Sequence, residues 1–219
     1  MKFYLDSADR SAAESLLHTG LFAGLTTNPT LLAQAGVGQQ EIPALVGWAT
    51  DAGAQRIFIQ AWGSTSAELL DTGQWIRSLG DHVVVKVPAT EAGTVATRAL
   101  ADDGVPVLVT AVYSRVQVLP ALAAGAHFIA PYLGRMNDAG RDGRAETVAI
   151  QECITAAGST LKVLVASLRE PQQASDLARA GVSEFTLNAA AWQKFFIDPL
   201  TKAAVEQFDA DIAAMAPRE

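Results

Sequence analysis

Val83-Val84-Val85-Lys86-Val87-Pro88 sets four valines around one lysine and closes on a proline. A β-branched run this dense reads as a strand buried on both faces, the pattern of a parallel sheet. With a two-residue period, Val83, Val85 and Val87 face one side while Val84 and Lys86 face the other. If the valine face meets helices, Lys86 enters the opposite face of the sheet near the strand's C-terminal end. Burial disfavours an ammonium, so such a lysine has a depressed pKa and part of its population is a neutral amine. A neutral amine is what Schiff-base formation on a carbonyl substrate requires. The same residue also reads as a charge that keeps a sticky edge strand soluble.

Outward from this strand, the chain repeats one pattern. Short apolar strands are expected at 3–6, 24–27 and 56–60 before it, and at 107–110, 127–132, 162–166 and 184–187 after it. Helical spacing fills 8–17, 29–35, 40–52, 64–79, 91–101, 114–124 (with Pro120 interrupting), 145–157, 171–180 and 189–194, while 140–143 reads as a loop. Strands alternating with helices in this way give parallel pairing, and eight of them close into a single-domain (β/α)8 TIM barrel over residues 1–198. The alternative is an open doubly wound sheet. However, no G-x-G-x-x-G follows the first strand and no G-x-x-x-x-G-K-[ST] occurs, so the usual nucleotide fingerprints are absent. Residues 199–219 add a C-terminal helix whose Leu200, Ala204, Phe208, Ile212 and Met215 form an apolar stripe. That stripe packs either on its own barrel or on a neighbouring subunit.

Composition narrows the partners. Half of the 219 residues are hydrophobic and 18% are charged, enough for one large core. The net charge of −7 argues against nucleic acid and acidic membrane surfaces as partners. No leader-like apolar stretch opens the sequence, no run approaches a membrane span, and Cys153 is a single cysteine, so a cytoplasmic protein is expected. His18, His82 and His127 lack ligand spacing, which leaves a zinc-dependent reaction unsupported; no metal and no cofactor are expected. No Ser-His-Asp grouping is evident either.

In such a barrel the chemistry lies at the C-terminal strand ends. Reading those positions gives Asp6, Thr26, Asn28, Gln60, Lys86, Thr110, Tyr132, Ser167 and Asn188. Each has an ordinary role open to it: Asp6, Asn28, Ser167 and Asn188 as helix caps, Gln60 and Thr110 as loop hydrogen-bonders, Tyr132 as packing under a loop. Together they ring one lysine with an acid, amides and hydroxyls. That set fits aldol or retro-aldol chemistry, in which an iminium on Lys86 acts as electron sink while Tyr132 or Asp6 moves protons. Gln60 and Thr110 are the candidates to hold a water, and Thr26 and Asn28 to meet substrate hydroxyls. Arg135 and Arg169 are phosphate candidates because barrels of this type commonly bind phosphate near their last strands. Arg141 and Arg144 read as solvated surface.

Tyr4-Leu5-Asp6, Thr26-Thr27-Asn28-Pro29, Val85-Lys86-Val87-Pro88, Thr110-Ala111-Val112-Tyr113-Ser114, Ala130-Pro131-Tyr132 and Ala166-Ser167 resemble the fructose-6-phosphate aldolase and small transaldolase family. The resemblance runs over essentially the whole chain. It implies a (β/α)8 barrel, Lys86 as the Schiff-base lysine, and Asp6, Gln60, Thr110 and Tyr132 as acid/base and water-positioning residues. It also implies that Arg135 and Ser167 bind phosphate. In that family transaldolases carry a glutamate at the position of Gln60 and a phenylalanine at that of Tyr132, so the resemblance favours the aldolase branch. The implied activity is class I cleavage of fructose 6-phosphate to dihydroxyacetone and glyceraldehyde 3-phosphate, with sugar phosphates and ketone donors as partners. The alternatives are a transaldolase and, from another class, a non-catalytic sugar-phosphate-binding barrel. Ala61-Trp62 and Leu168-Arg169 depart from the aldolase pattern. The resemblance further implies a homo-oligomer, a pentamer-based decamer with exchanged C-terminal helices.

Overall fold

The computed structural model describes residues 1–215; residues 216–219 of the expected C-terminal tail lie outside the described residues. The elements follow in the order β1 (Lys2–Asp6), α1 (Arg10–Leu17), β2 (Phe22–Thr26), α2 (Pro29–Gln34), α3 (Ile42–Asp51), β3 (Arg56–Gln60), α4 (Ser66–Arg77), β4 (Val83–Pro88) and α5 (Glu91–Asp102). Then come β5 (Val107–Val112), α6 (Val118–Ala123), β6 (Phe128–Pro131), α7 (Leu133–Asp138), α8 (Gly143–Ala156), β7 (Lys162–Val165), α9 (Pro171–Arg179), β8 (Glu184–Leu187), α10 (Ala189–Gln193) and α11 (Pro199–Ala214). All eight strands pair in parallel, each with its sequence neighbour, and β8 closes on β1. The (β/α)8 barrel read from the alternation is therefore the observed fold.

The side-chain parity of β4 explains the closure. Val83, Val85 and Val87 are buried against the helical shell, in one cluster with Ile42, Leu69, Ile76 and Leu100. Val84 instead joins Tyr4, Phe58, Leu108, Phe128 and Leu164 in the barrel interior. Each fully buried valine contributes on the order of 1.5–3 kcal/mol, so the register of this strand is strongly specified. Gly73 lets α4 lie close on it: a Cβ there would stand 3.3 Å from Val85 Cγ1 and 2.9 Å from Leu100 Cδ1.

The interior is layered. Tyr4, Phe58 and Phe128 meet edge to face, with centroids 5.2 Å and 5.3 Å apart, and fill the N-terminal half. Beneath them a polar plug closes the N-terminal mouth. Tyr4 Oη donates to Glu184 Oε2 at 2.9 Å, Lys162 Nζ lies 3.4 Å from Glu184 Oε1, and the Arg56 guanidinium sits 5.1 Å from the Phe128 ring centroid. Glu184 is only 3% exposed, and these partners satisfy its buried carboxyl group.

The sequence reading differs from the structure at the C-terminal rim. The strand expected to reach Tyr132 ends at Pro131, and α7 begins immediately after Tyr132. Leu133 N donates to Ala166 O at 3.1 Å, which fixes this abrupt turn. Part of the expected loop 140–143 belongs to α8, where Asp142 caps by accepting from Ala145 N at 2.9 Å. Pro120 lies in the first turn of α6, where a missing N–H costs no helical bond, and so it does not interrupt a helix. No residue of α11 is buried on this chain.

Replacing Glu184 by alanine would strand the buried Tyr4 hydroxyl, at a cost of about 1–3 kcal/mol. For a chain of this size that corresponds to a thermal midpoint lower by roughly 3–10 °C. Melting followed by circular dichroism checks this; an unchanged midpoint would mean that the plug does not hold the barrel.

Candidate active site

A cavity of about 200 Å³ opens at the C-terminal ends of the strands. Of the expected site residues, Asp6, Thr26, Asn28, Lys86, Tyr132, Arg135, Ser167 and Arg169 line it. Thr110 stands behind the wall, its Oγ1 3.0 Å from Tyr132 Oη. Gln60 is not brought to the cavity. It pairs in register with Lys86 across β3 and β4; on the other side of β3, Thr27 N and Oγ1 both donate to Phe58 O, at 3.1 Å and 3.0 Å. Lys86 Nζ donates to the Thr27 carbonyl.

The capping roles divide. Asn28 Oδ1 accepts from Leu31 N at 3.0 Å and Asn188 Oδ1 from Ala191 N at 2.8 Å, so both cap helices while also lining the cavity. Asp6 is no cap, because Asp9 serves α1; Ser167 is no cap, because Glu170 serves α9. Asp6 is thereby left free for the site, and Thr26 Oγ1 donates to its Oδ1 at 2.8 Å. Ser167 and Ala111 hold φ values of 60° and 57°, a region that side chains other than glycine rarely adopt. One sits in the cavity wall and the other follows Thr110, where the β5–β6 register shifts. Backbone strain of this kind collects at functional sites.

The electrostatics follow from desolvation. Lys86 is 4% exposed, and burial lowers its pKa to about 8, against the opposing pull of the Asp6 charge. Burial raises the Asp6 carboxyl above the usual carboxylate range, countered by Lys86 and by the Thr26 hydrogen bond. The Tyr132 phenol is raised by burial too, countered first by its bond to Thr110, so it remains a proton donor. A partly neutral amine thus faces an acid and a phenol within one small chamber. Among the described residues no group of three His, Cys, Asp or Glu side chains is placed to hold a metal.

A family model described as transaldolase/fructose-6-phosphate aldolase matches residues 3–218. The chain belongs to this family. A probable transaldolase of Coprothermobacter proteolyticus is 33% identical over 96% of each chain. One of Rhodospirillum centenum is 36% identical over 96% of this chain and 90% of its own. Among solved structures, the thiamine phosphate pyrophosphorylase of Pyrococcus furiosus superposes with a TM-score of 0.56 at 16% identity, covering 86% of each chain. That likeness is one of fold alone.

Within this transaldolase/fructose-6-phosphate aldolase chain the rim carries two arginines. Arg135 lies over the Tyr132 ring, 5.1 Å from its centroid, and its Nη1 is 3.5 Å from Tyr113 Oη. Arg169 is held by Asp138. Arg141, expected to be merely solvated, donates to Tyr113 O at 2.9 Å. Thr186 is a lining residue that sequence reasoning passed over; its Oγ1 is 2.6 Å from that of Thr26. The signal was present in β8, where Glu184 and Thr186 alternate with Phe185 and Leu187 and so share the inward face.

Deprotonation of Lys86 should control covalent capture of dihydroxyacetone. The adduct trapped by borohydride and read by mass spectrometry is expected to form faster as pH rises through about 8, then to level off. Asp6→Asn removes the charge that holds this pKa up, so the midpoint should move to lower pH. The stability sign agrees: the penalty for burying the ammonium is present below about pH 8 and is relieved as pH rises toward the ordinary lysine range. A midpoint near the value for free lysine, or an adduct on another residue in Lys86→Met, would refute this assignment.

Proposed function

We propose that the chain is a class I aldolase that cleaves fructose 6-phosphate to dihydroxyacetone and glyceraldehyde 3-phosphate and runs the reverse addition. The observation that carries this reading is the desolvated Lys86 amine, which lines one cavity with Asp6 and with Tyr132, whose phenol meets Thr110. The neutral amine adds to the substrate ketone, giving a carbinolamine that loses water to an iminium. A proton then leaves the hydroxyl on the carbon to be released. The electron pair of the adjacent C–C bond moves into the iminium, which yields an enamine and frees the aldehyde. Reprotonation of the enamine carbon and hydrolysis return Lys86 and release dihydroxyacetone. Asp6 and the Tyr132 phenol are the groups that move these protons; Thr110 orients the phenol. Asn28, Thr26 and Thr186 face the substrate hydroxyls, and Arg135, Ser167 and Arg169 receive the phosphate. The scheme draws on no cofactor, and a cytoplasmic setting fits the one cysteine.

Transaldolase activity is the second reading, favoured by relatives named probable transaldolases. Supplying fructose 6-phosphate with and without erythrose 4-phosphate separates the two. Free dihydroxyacetone released without an acceptor is the expected result, whereas strict dependence on the acceptor would assign transfer instead. A barrel that only binds sugar phosphate would give neither turnover nor a trapped adduct.

The reading includes self-association. On α11, Leu200, Val205, Phe208, Ile212 and Met215 are 50–81% exposed, an apolar stripe too large for a solvated helix. We place it against a neighbouring copy of the chain. Truncation before Pro199 is expected to lower the particle mass in light scattering to that of the monomer; an unchanged mass would remove α11 from the interface.

A further inference from the structure

We propose that Asp138 is a specificity residue, one that competes with the substrate's phosphate for Arg169 and so sets how strongly the site prefers phosphorylated aldehydes. The proposal rests on the reading above that the rim receives the phosphate, and it names a control on that step. It begins with α7, which is pressed against the loop after β7. Gly134 N donates to Ser167 O at 3.0 Å, and a Cβ on Gly134 would stand 2.9 Å from Ser167 Oγ and 3.0 Å from Arg169 Nε. Asp138 lies four residues on, one helical turn along the same face, and there it meets the guanidinium. Arg169 Nη1 donates to Asp138 Oδ1 at 2.7 Å and Nη2 to Oδ2, so both arms of the fork are taken.

The backbone beneath the fork is pinned as well. Lys194 Nζ donates to Arg169 O at 3.0 Å and to Glu170 Oε1 at 2.6 Å, which ties the loop after β7 to the segment after β8. Arg135, next to Gly134 in sequence, points another way, over the Tyr132 ring, and has no carboxylate partner among the described residues. The rim therefore offers one committed and one uncommitted guanidinium.

The pair is exchangeable. Arg169 and Asp138 are 54% and 51% exposed, and ion pairs this wet are weak. A phosphate carries more charge and an equally good geometry for the fork, so it displaces the carboxylate. Asp138 then stays beside the phosphate as an unpaired like charge, and binding is weakened by that repulsion and by the broken pair. An aldehyde without phosphate leaves the pair intact and pays nothing.

Asp138→Asn keeps the shape and removes the charge. In the synthesis direction with dihydroxyacetone, KM for glyceraldehyde 3-phosphate is expected to fall about two- to fivefold, with kcat unchanged. Values for unphosphorylated glyceraldehyde should stay as in the wild type, and the difference should shrink with added salt. Inorganic phosphate, titrated against the thermal midpoint, should bind tighter by the same factor. That binding needs no turnover, so it tests Asp138 even if the aldolase reading fails, which would show separately as an inactive wild type. Weaker or unchanged phosphate binding in Asp138→Asn, or an equal change for both aldehydes, would overturn the proposal.

Discussion

One amine kept out of water governs the molecule. Lys86 can be buried because β4 alternates strictly, valines outward into the helical shell and Val84 and Lys86 inward, inside a ring of strands closed without edges. The same closure supplies what the ammonium form needs when it is charged: the Thr27 carbonyl to accept its hydrogen bond and the Asp6 carboxyl nearby. Desolvation and these partners pull in opposite directions, and the balance places the group where both protonation states are populated near neutral pH. A slip of β4 by one residue would turn the lysine to the helices and the valines to the cavity, so fold and chemistry depend on a single register.

The two ends of the barrel divide the labour. At the N-terminal mouth Glu184 is surrounded by Tyr4 and Lys162, with Arg56 close by, a satisfied network that holds the closure. At the C-terminal mouth the polar groups stay partly unmatched: Arg135 stacks without a carboxylate partner among the described residues, and two residues occupy backbone conformations that cost energy. Stability sits below and reactivity above, as in other barrels of this architecture.

Much of this was legible in the sequence because two periodicities carry it. Valine spacing fixed the parity of Lys86, and the alternation of strands with helices fixed the barrel. Strand ends were legible for Asp6, Thr26, Asn28, Tyr132, Ser167 and Arg169 because polar residues break apolar runs there. Gln60 shares the register of Lys86 but does not line the cavity, since parity tells which face a residue shares and not whether its side chain reaches the chamber. Helix α7 was missed because six residues after a proline carry too little period to read. The parity of β8 marked Thr186 and Glu184 as inward, but their partners, like the Arg169 partner of Asp138, are distant in sequence and are brought alongside only by the tertiary fold.

The plug has a bearing on the order of events. With Tyr4, Phe58 and Phe128 packed edge to face above Glu184, the chamber holding Lys86 is floored on the N-terminal side and opens at the C-terminal rim. Whatever enters must leave past the arginines, and the fragment nearest the doorway goes first. In the proposed cleavage the aldehyde half is unbound once the carbon bond breaks, whereas the other half is still covalently tethered to Lys86. Sequence of departure is thus imposed by architecture: the blind end makes the barrel a cul-de-sac, and traffic in a cul-de-sac runs last in, first out.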